Sequence, residues 1–140
     1  MSAIDSPEAL RDAIRASTGP DRELDAAFAR LVLGWIGVNF DEFDYAWFGT
    51  PPVDNQRRSL PRFFDPSAGP GALFAAARER WPECCLSAEA LPAKYGCSAR
   101  FIQSHAVAGF AINELGAHPI LAHALARAMV EAAISERDRA

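Results

Sequence analysis

The chain has 140 residues, of which half are hydrophobic and 23% are charged, and its formal net charge is −4. That length and balance fit one globular domain, which buries roughly two thirds of its unfolded surface without a covalent staple. The scattered acidic excess excludes general nucleic-acid affinity, which needs clustered Lys and Arg, and three cysteines, two of them adjacent, exclude a disulfide framework.

Residues 6–17 form the first expected element, an N-terminal helix. Ser6 suits its cap, Pro7 its first turn, and Glu8 its dipole, while Gly19-Pro20 stops it. Leu10 and Ile14 face inward. From Arg22 to Trp35 the apolar residues Leu24, Ala27, Phe28, Leu31 and Trp35 recur at helical steps. Arg22, Asp25, Ala26 and Arg30 fall off that face, and the helix is expected to end at Gly34 or Gly37. The rest of the chain is expected to be arranged around this helix.

Residues 38–69 are irregular and aromatic, with Phe40, Phe43, Tyr45, Trp47, Phe48, Phe63 and Phe64. The alternation Phe43, Tyr45, Trp47 predicts a short strand, and Pro51-Pro52 a turn. Leu60-Pro-Arg-Phe-Phe64 then returns to complete a two-stranded ribbon. These aromatics suit a satellite core that pins the loop better than a base-stacking platform. Stacking needs a basic groove, and only Arg57, Arg58 and Arg62 lie near.

Residues 70–81 predict a second core helix with Leu73, Ala76, Ala77 and Arg80-Trp81 on its inner face, ended by Pro82. Glu83 to Ala90 alternates as a strand, Pro92 to Gly96 turns, and Cys97 to Ser104 returns with Ala99 and Phe101 on one side. A third strand runs from about Val107 to Glu114. Leu121, Ala124, Leu125, Ala128, Met129 and Ala132 then hold helical spacing behind Pro119, and residues 135–140 form a frayed tail. The expected fold is a single α+β domain over residues 1–140, with helices packed on a small, mainly antiparallel three-stranded sheet and an extra N-terminal helix.

Three blocks of the chain resemble the phage ABA sandwich family of small phage and prophage proteins. They are Arg22-Glu-Leu-Asp-Ala with Leu33-Gly-Trp35, Leu60-Pro-Arg-Phe-Phe-Asp with Pro70 to Trp81, and Ala117-His-Pro-Ile-Leu-Ala-His-Ala-Leu125. Phe63-Phe64-Asp65 stands where that family tends to place hydroxyl residues, and residues 6–17 lie outside the likeness. The resemblance implies helix–sheet–helix layering and a phage or prophage origin. It carries no catalytic residue over to this chain.

The histidines and cysteines are the candidates for chemistry. His118 and His123 are five residues apart, within the range of a Zn ligand pair. On one helix that step turns them by about 140°, so they are expected to point apart. Cys84 and Cys85 are expected on opposite faces of a strand. Cys97 or Cys85 with His105 is the alternative of a small thiol enzyme, but nothing in the sequence marks a lowered thiol pKa, a base or an oxyanion donor. Asp41-Glu42 and Asp44 form a loop acid cluster that suits a solvated surface. The chain carries no Walker loop, Gly-x-Ser-x-Gly, Rossmann fingerprint or His-Glu-x-x-His motif. No enzyme, metal or cofactor is therefore expected.

The expected function is non-enzymatic protein–protein binding by a phage or prophage accessory protein. Its plausible role is inhibition of a host defence component such as a CRISPR effector, by analogy of context. The preferred contact residues are Trp47, Phe48, Arg57, Arg58 and Arg62, since Trp and Arg dominate interface energetics. A self-associating structural or virion accessory is the other binding alternative, with the Ala-faced closing helix packing in a homodimer. With no leader and no membrane-length apolar run, the expected setting is the cytoplasm of a bacterial host.

Overall fold

The computed structural model describes residues 4–90, 97–105 and 110–139. Its elements in chain order are α1 (Pro7–Ala16), α2 (Arg22–Leu31), β1 (Ile36–Asp41), β2 (Ala46–Thr50), β3 (Arg58–Ser59), α3 (Gly69–Arg80), β4 (Cys85–Ala90), β5 (Cys97–His105), β6 (Phe110–His118) and α4 (Leu121–Arg139). The class is α+β, with an N-terminal helix and a small antiparallel sheet of three strands, β4-β5-β6, carrying helices.

Capping chemistry sets the first two helices. Ser6 Oγ accepts from the Ala9 N–H at 3.1 Å, and Pro7 opens α1. Asp21 Oδ1 accepts from the Glu23 and Leu24 N–H groups at 3.0 and 3.2 Å. Helix α2 stops at Leu31, a turn earlier than the spacing predicts. Gly34 and Gly37, at φ 75° and 62°, then lead the chain into β1. The apolar stripe holds through Trp35, which is buried, but two of the four residues expected off the face, Asp25 and Ala26, are buried as well.

The organising element is α4 rather than α2. It lies on β5 and β6, touches β4, and receives α1 and α3. Residues 122–126 are all buried. Five consecutive residues pass right round a helix of 3.6 residues per turn, so this stretch, behind an exposed Leu121, is enclosed on every side. Ala122, Ala124, Ala126, Ala128 and Ala132 are wholly buried, and their small side chains let the sheet and the helices approach closely. Arg11 with Glu131, at 3.2 Å, and Glu8 with Arg137, at 2.7 Å, tie α1 along α4.

The expected frayed tail at 135–140 is corrected to helix as far as Arg139. Glu136 explains why: it accepts from the Trp81 indole N–H at 3.0 Å and pairs with Arg80. Strand β4 begins at Cys85, and Ala99 and Phe101 of β5 share the buried face, with Phe101 edge-on to Trp81 at 4.7 Å. Strand β6 runs on to His118, beyond the expected end at Glu114. The turn at Pro92 to Gly96 and the proposed start at Val107 lie outside the described residues.

The aromatic stretch is a second sheet of order β1-β2-β3. Phe40 pairs with Trp47, Asp41 with Ala46, and Phe48 with Ser59. The expected strand through Phe43 and Tyr45 is instead the hairpin turn. Asp41 Oδ1 accepts from the Phe43 and Asp44 N–H groups at 2.9 and 3.3 Å, bending the chain there.

Candidate functional site

The β1–β2 hairpin carries the largest exposed apolar side chains of the described residues. Phe43 at its tip is fully exposed, at 101%, and Tyr45 is exposed at 83%. Tyr45 has φ 53°, in the left-handed region that favours Gly or Asn. Holding an aromatic there costs on the order of 1 kcal/mol. Its ring meets the edge of Phe40 at 5.2 Å, and Phe40 in turn meets Trp47 at 5.8 Å. A graded row results: Trp47 is half-buried and packed on the core, Phe40 is partly exposed, and Tyr45 and Phe43 stand in solvent. Exposed Glu42 and Asp44 flank the tip.

Of the contact residues predicted from the sequence, Phe48 and Trp47 are only half-exposed. The Arg57 guanidinium lies over the Phe48 ring at 5.1 Å and reaches Asn39 at 3.4 Å and Asp41 at 3.8 Å. Arg58 pairs with Asp54, and Arg62 is exposed. Trp47, Phe48 and Arg57 thus sit on the hairpin, and they support the exposed row rather than forming its tip. The exposed tip residues Phe43 and Tyr45 are not among those predicted contact residues. Their legible signal is an aromatic residue set between turn-forming acids, Asp-Glu-Phe-Asp-Tyr.

The other two aromatics of the stretch have the opposite fate. Phe63 and Phe64 are buried against Phe28 at 5.1 and 5.9 Å between ring centroids. What fixes that segment is a buried ion pair the sequence does not announce. Asp25 accepts from Arg22 at 2.7 Å and from the Phe64 N–H at 3.0 Å. Arg22 also donates to the Leu60 and Pro61 carbonyls at 2.8 and 3.1 Å. Burial pushes the Asp25 carboxyl pKa up, against the lowering effect of these partners.

His118 and His123 come together, contrary to the expected divergence. His118 ends β6 while α4 starts at Leu121, so the two do not share a helix. Their rings stack at 4.5 Å. The Ile120 N–H donates to His118 Nδ1 at 3.0 Å, so His118 Nε2 carries the proton and donates to the Ser17 carbonyl at 3.0 Å. The Ser17 hydroxyl donates to the Gly19 carbonyl at 3.1 Å and therefore accepts from His123 Nε2 at 2.9 Å. That polarity is opposite to a nucleophile–base pair, in which imidazole takes the hydroxyl proton. His123 Nδ1 is buried with no hydrogen-bond partner among the described residues, and so lacks the orienting group of a triad. Burial lowers the pKa of both rings, that of His123 to about 4. The pair is a neutral pin that holds the α1–α2 connection onto α4.

The three thiols are free. Cys84 is half-buried with its thiol towards the Ala77 carbonyl at 3.6 Å, and burial raises its pKa. Cys85 is exposed, and the Cys97 thiol points at the Pro119 carbonyl at 3.8 Å. The side chain of His105 lies outside the described residues. No group of three His, Cys, Asp or Glu among the described residues is arranged to hold a metal ion. No helix among them is long and apolar enough to cross a membrane.

No family model, curated protein or solved structure matches this chain. None of these comparisons bears on the three sequence blocks described above. In the structure these contribute α2 with buried Trp35, the Leu60–Phe64 segment with α3, and the start of α4.

Proposed function

We propose that this chain is a non-enzymatic binding protein that docks on another protein through the tip of the β1–β2 hairpin. The observation that carries the reading is Phe43, an aromatic side chain held wholly in solvent beside Tyr45 in a strained backbone conformation. Burying a Phe side chain contributes roughly 2 kcal/mol, and this fold leaves that contribution unused. Non-Gly strain of this kind persists where the surrounding structure enforces it and is often tied to a contact or switch. Trp47, Phe48 and Arg57 form the rigid base of the same surface, with Arg58 and Arg62 at its margin.

Within that reading the resemblance supplies the setting: a phage or prophage accessory protein in the cytoplasm of a bacterial host, whose partner is a host defence component such as a CRISPR effector. Capture from bacterial host lysate tests it. Wild-type chain is expected to retain a discrete partner that Phe43→Ala loses, with no change in thermal midpoint. Equal capture by Phe43→Ala contradicts the hairpin surface. A dimer at high concentration that the same substitution dissociates would replace the foreign partner with a second copy of this chain.

A further inference from the structure

At the end of β2 away from the hairpin tip, a cleft of about 430 Å³ opens between the β2–β3 connection and α3. That volume lies in the range of small-molecule sites. Trp35 and Phe63, both buried, form its floor, and Val53 stands on its rim with 56% of its surface exposed. Pro51, Pro52 and Pro61 stiffen this side by fixing the backbone φ. Arg22 and Asp25 pin the Leu60–Phe64 segment through its backbone. Gly49 lets Trp35 seat closely, since a Cβ there would stand 2.9 Å from Trp35 Cε3.

The facing wall is α3, which turns Ala72, Ala75 and Ala76 to the cleft. These positions lie three and four residues apart on one helix face. A Leu at any of them would project into the opening, so the cleft exists because this face is small. The charges at its mouth are spent within the protein. Arg58 pairs with Asp54, and Arg80 pairs with Glu136 and lies over the Trp81 ring at 4.7 Å. Glu79 also lines the mouth, so an anion entering there meets more carboxylates than guanidiniums. A cation meets Glu79 as the carboxylate left without an ion-pair partner among the described residues, and Glu79 is exposed. An exposed pair of that kind contributes little, and a charge brought against apolar walls loses hydration that nothing there replaces.

Both signs of charge are therefore disfavoured, and what the cleft offers is apolar contact between stiff walls. We infer that it binds an uncharged, compact molecule of one or two apolar rings, seated between Val53 with its flanking prolines and the alanine face of α3. A single hydroxyl is compatible with the site, because the exposed Ser59 side chain lines the mouth and a hydroxyl both donates and accepts. The site is separate from the hairpin tip, and its binding does not rest on the docking reading.

The test titrates the full chain at neutral pH with three molecules of one shape and different charge: 2-naphthol, 2-naphthoate and 2-naphthylmethylamine. Calorimetry gives affinity and stoichiometry, and ligand-detected magnetic resonance gives a second readout. The neutral 2-naphthol is expected to bind saturably and one-to-one, with both charged analogues at least fivefold weaker. Ala75→Leu, at an exposed helix position, is expected to weaken 2-naphthol roughly tenfold or more by filling the cleft. Arg58→Gln is expected to leave 2-naphthol within about twofold of wild type, since apolar contact rather than charge holds the ligand. Phe43→Ala is expected to bind 2-naphthol as wild type does, so the fates of the cleft and of the hairpin reading are separable. No saturable 2-naphthol binding at millimolar concentration overturns the proposal. So does a charged analogue that binds as tightly as 2-naphthol, or wild-type affinity in a folded Ala75→Leu; Ala72→Leu repeats the filling test should Ala75→Leu lose its circular-dichroism signature.

Discussion

The ribbon of β1 to β3 and the helix α4 are both rich in apolar side chains, yet they use them in opposite ways. In α4 even His123 is buried, and alanines make room for neighbours on every side. In the ribbon and its connections, Ile36, Phe43, Tyr45 and Val53 are each more than half exposed. Scattered exposed apolar residues are ordinary on any protein. The ribbon differs because its exposed aromatics adjoin one another, rest on a half-buried Trp47, and include a residue with unfavourable φ. One region holds the fold together and the other offers contact area.

The largest effect should come from the link between the two. Phe28 of α2 packs on Phe63 and Phe64, which connect the ribbon to the core. Phe28→Ala is expected to lower unfolding free energy by about 4 kcal/mol in denaturant titration. A loss under about 1 kcal/mol would break the contrast between core and ribbon aromatics.

The next effect is acid sensitivity of the His118–His123 pin. The folded pKa of His123, about 4, lies below the unfolded value near 6.5. Between those values the unfolded chain binds the proton and the folded chain does not, so stability is full above the unfolded pKa and falls as pH drops towards 4. The drop is of order 3 kcal/mol. Asp25, whose pKa is raised, acts in the opposite sense as pH falls. The comparison is therefore wild type against His123→Gln, which shares Asp25 and is expected to lose most of the slope. An unchanged slope would remove the histidine pin.

Asp25→Ala strands the Arg22 charge and the Phe64 N–H, and is expected to lose about 2 kcal/mol. Because that pair also pins Pro61 and Phe63, it should loosen the ribbon's base. Amide exchange at Phe64 is the local readout, and protection equal to wild type would count against the pin. A smaller stability change is a gain: Tyr45→Gly relieves the strained φ and is expected to add up to about 1 kcal/mol, while losing partner capture. A loss of stability would show that the Tyr45–Phe40 contact outweighs the backbone strain.

The local chemistry of the fold was legible where partners lie nearby in the chain. Ser6 and Pro7 announced α1, and alternation placed Ala99 and Phe101 on one face of β5. It failed where the partner is distant. Glu136 keeps α4 helical through Arg80 and Trp81, some 55 residues away, so its segment looked like a polar tail. Asp25 is off the apolar stripe by periodicity, but its charge is satisfied by Arg22 and by the Phe64 backbone. The helical step that would separate His118 from His123 applies only along one continuous helix, whereas the strand ends at His118. At the hairpin, period-two alternation through Phe43, Tyr45 and Trp47 looked like a strand. Asp41 capping the turn overrides that pattern and turns Phe43 outward. The cleft left no mark at all, since Ala72, Ala75 and Ala76 resemble an ordinary helical face until the prolines opposite are in place.

The most direct measurement pairs stability with capture in Phe43→Ala. The account predicts an unfolding free energy within about 0.5 kcal/mol of wild type, as for exposed positions generally, together with loss of the partner retained from host lysate. A variant that destabilises by 2 kcal/mol or more, or that captures the partner as well as wild type, would contradict the assignment of this aromatic tip to binding.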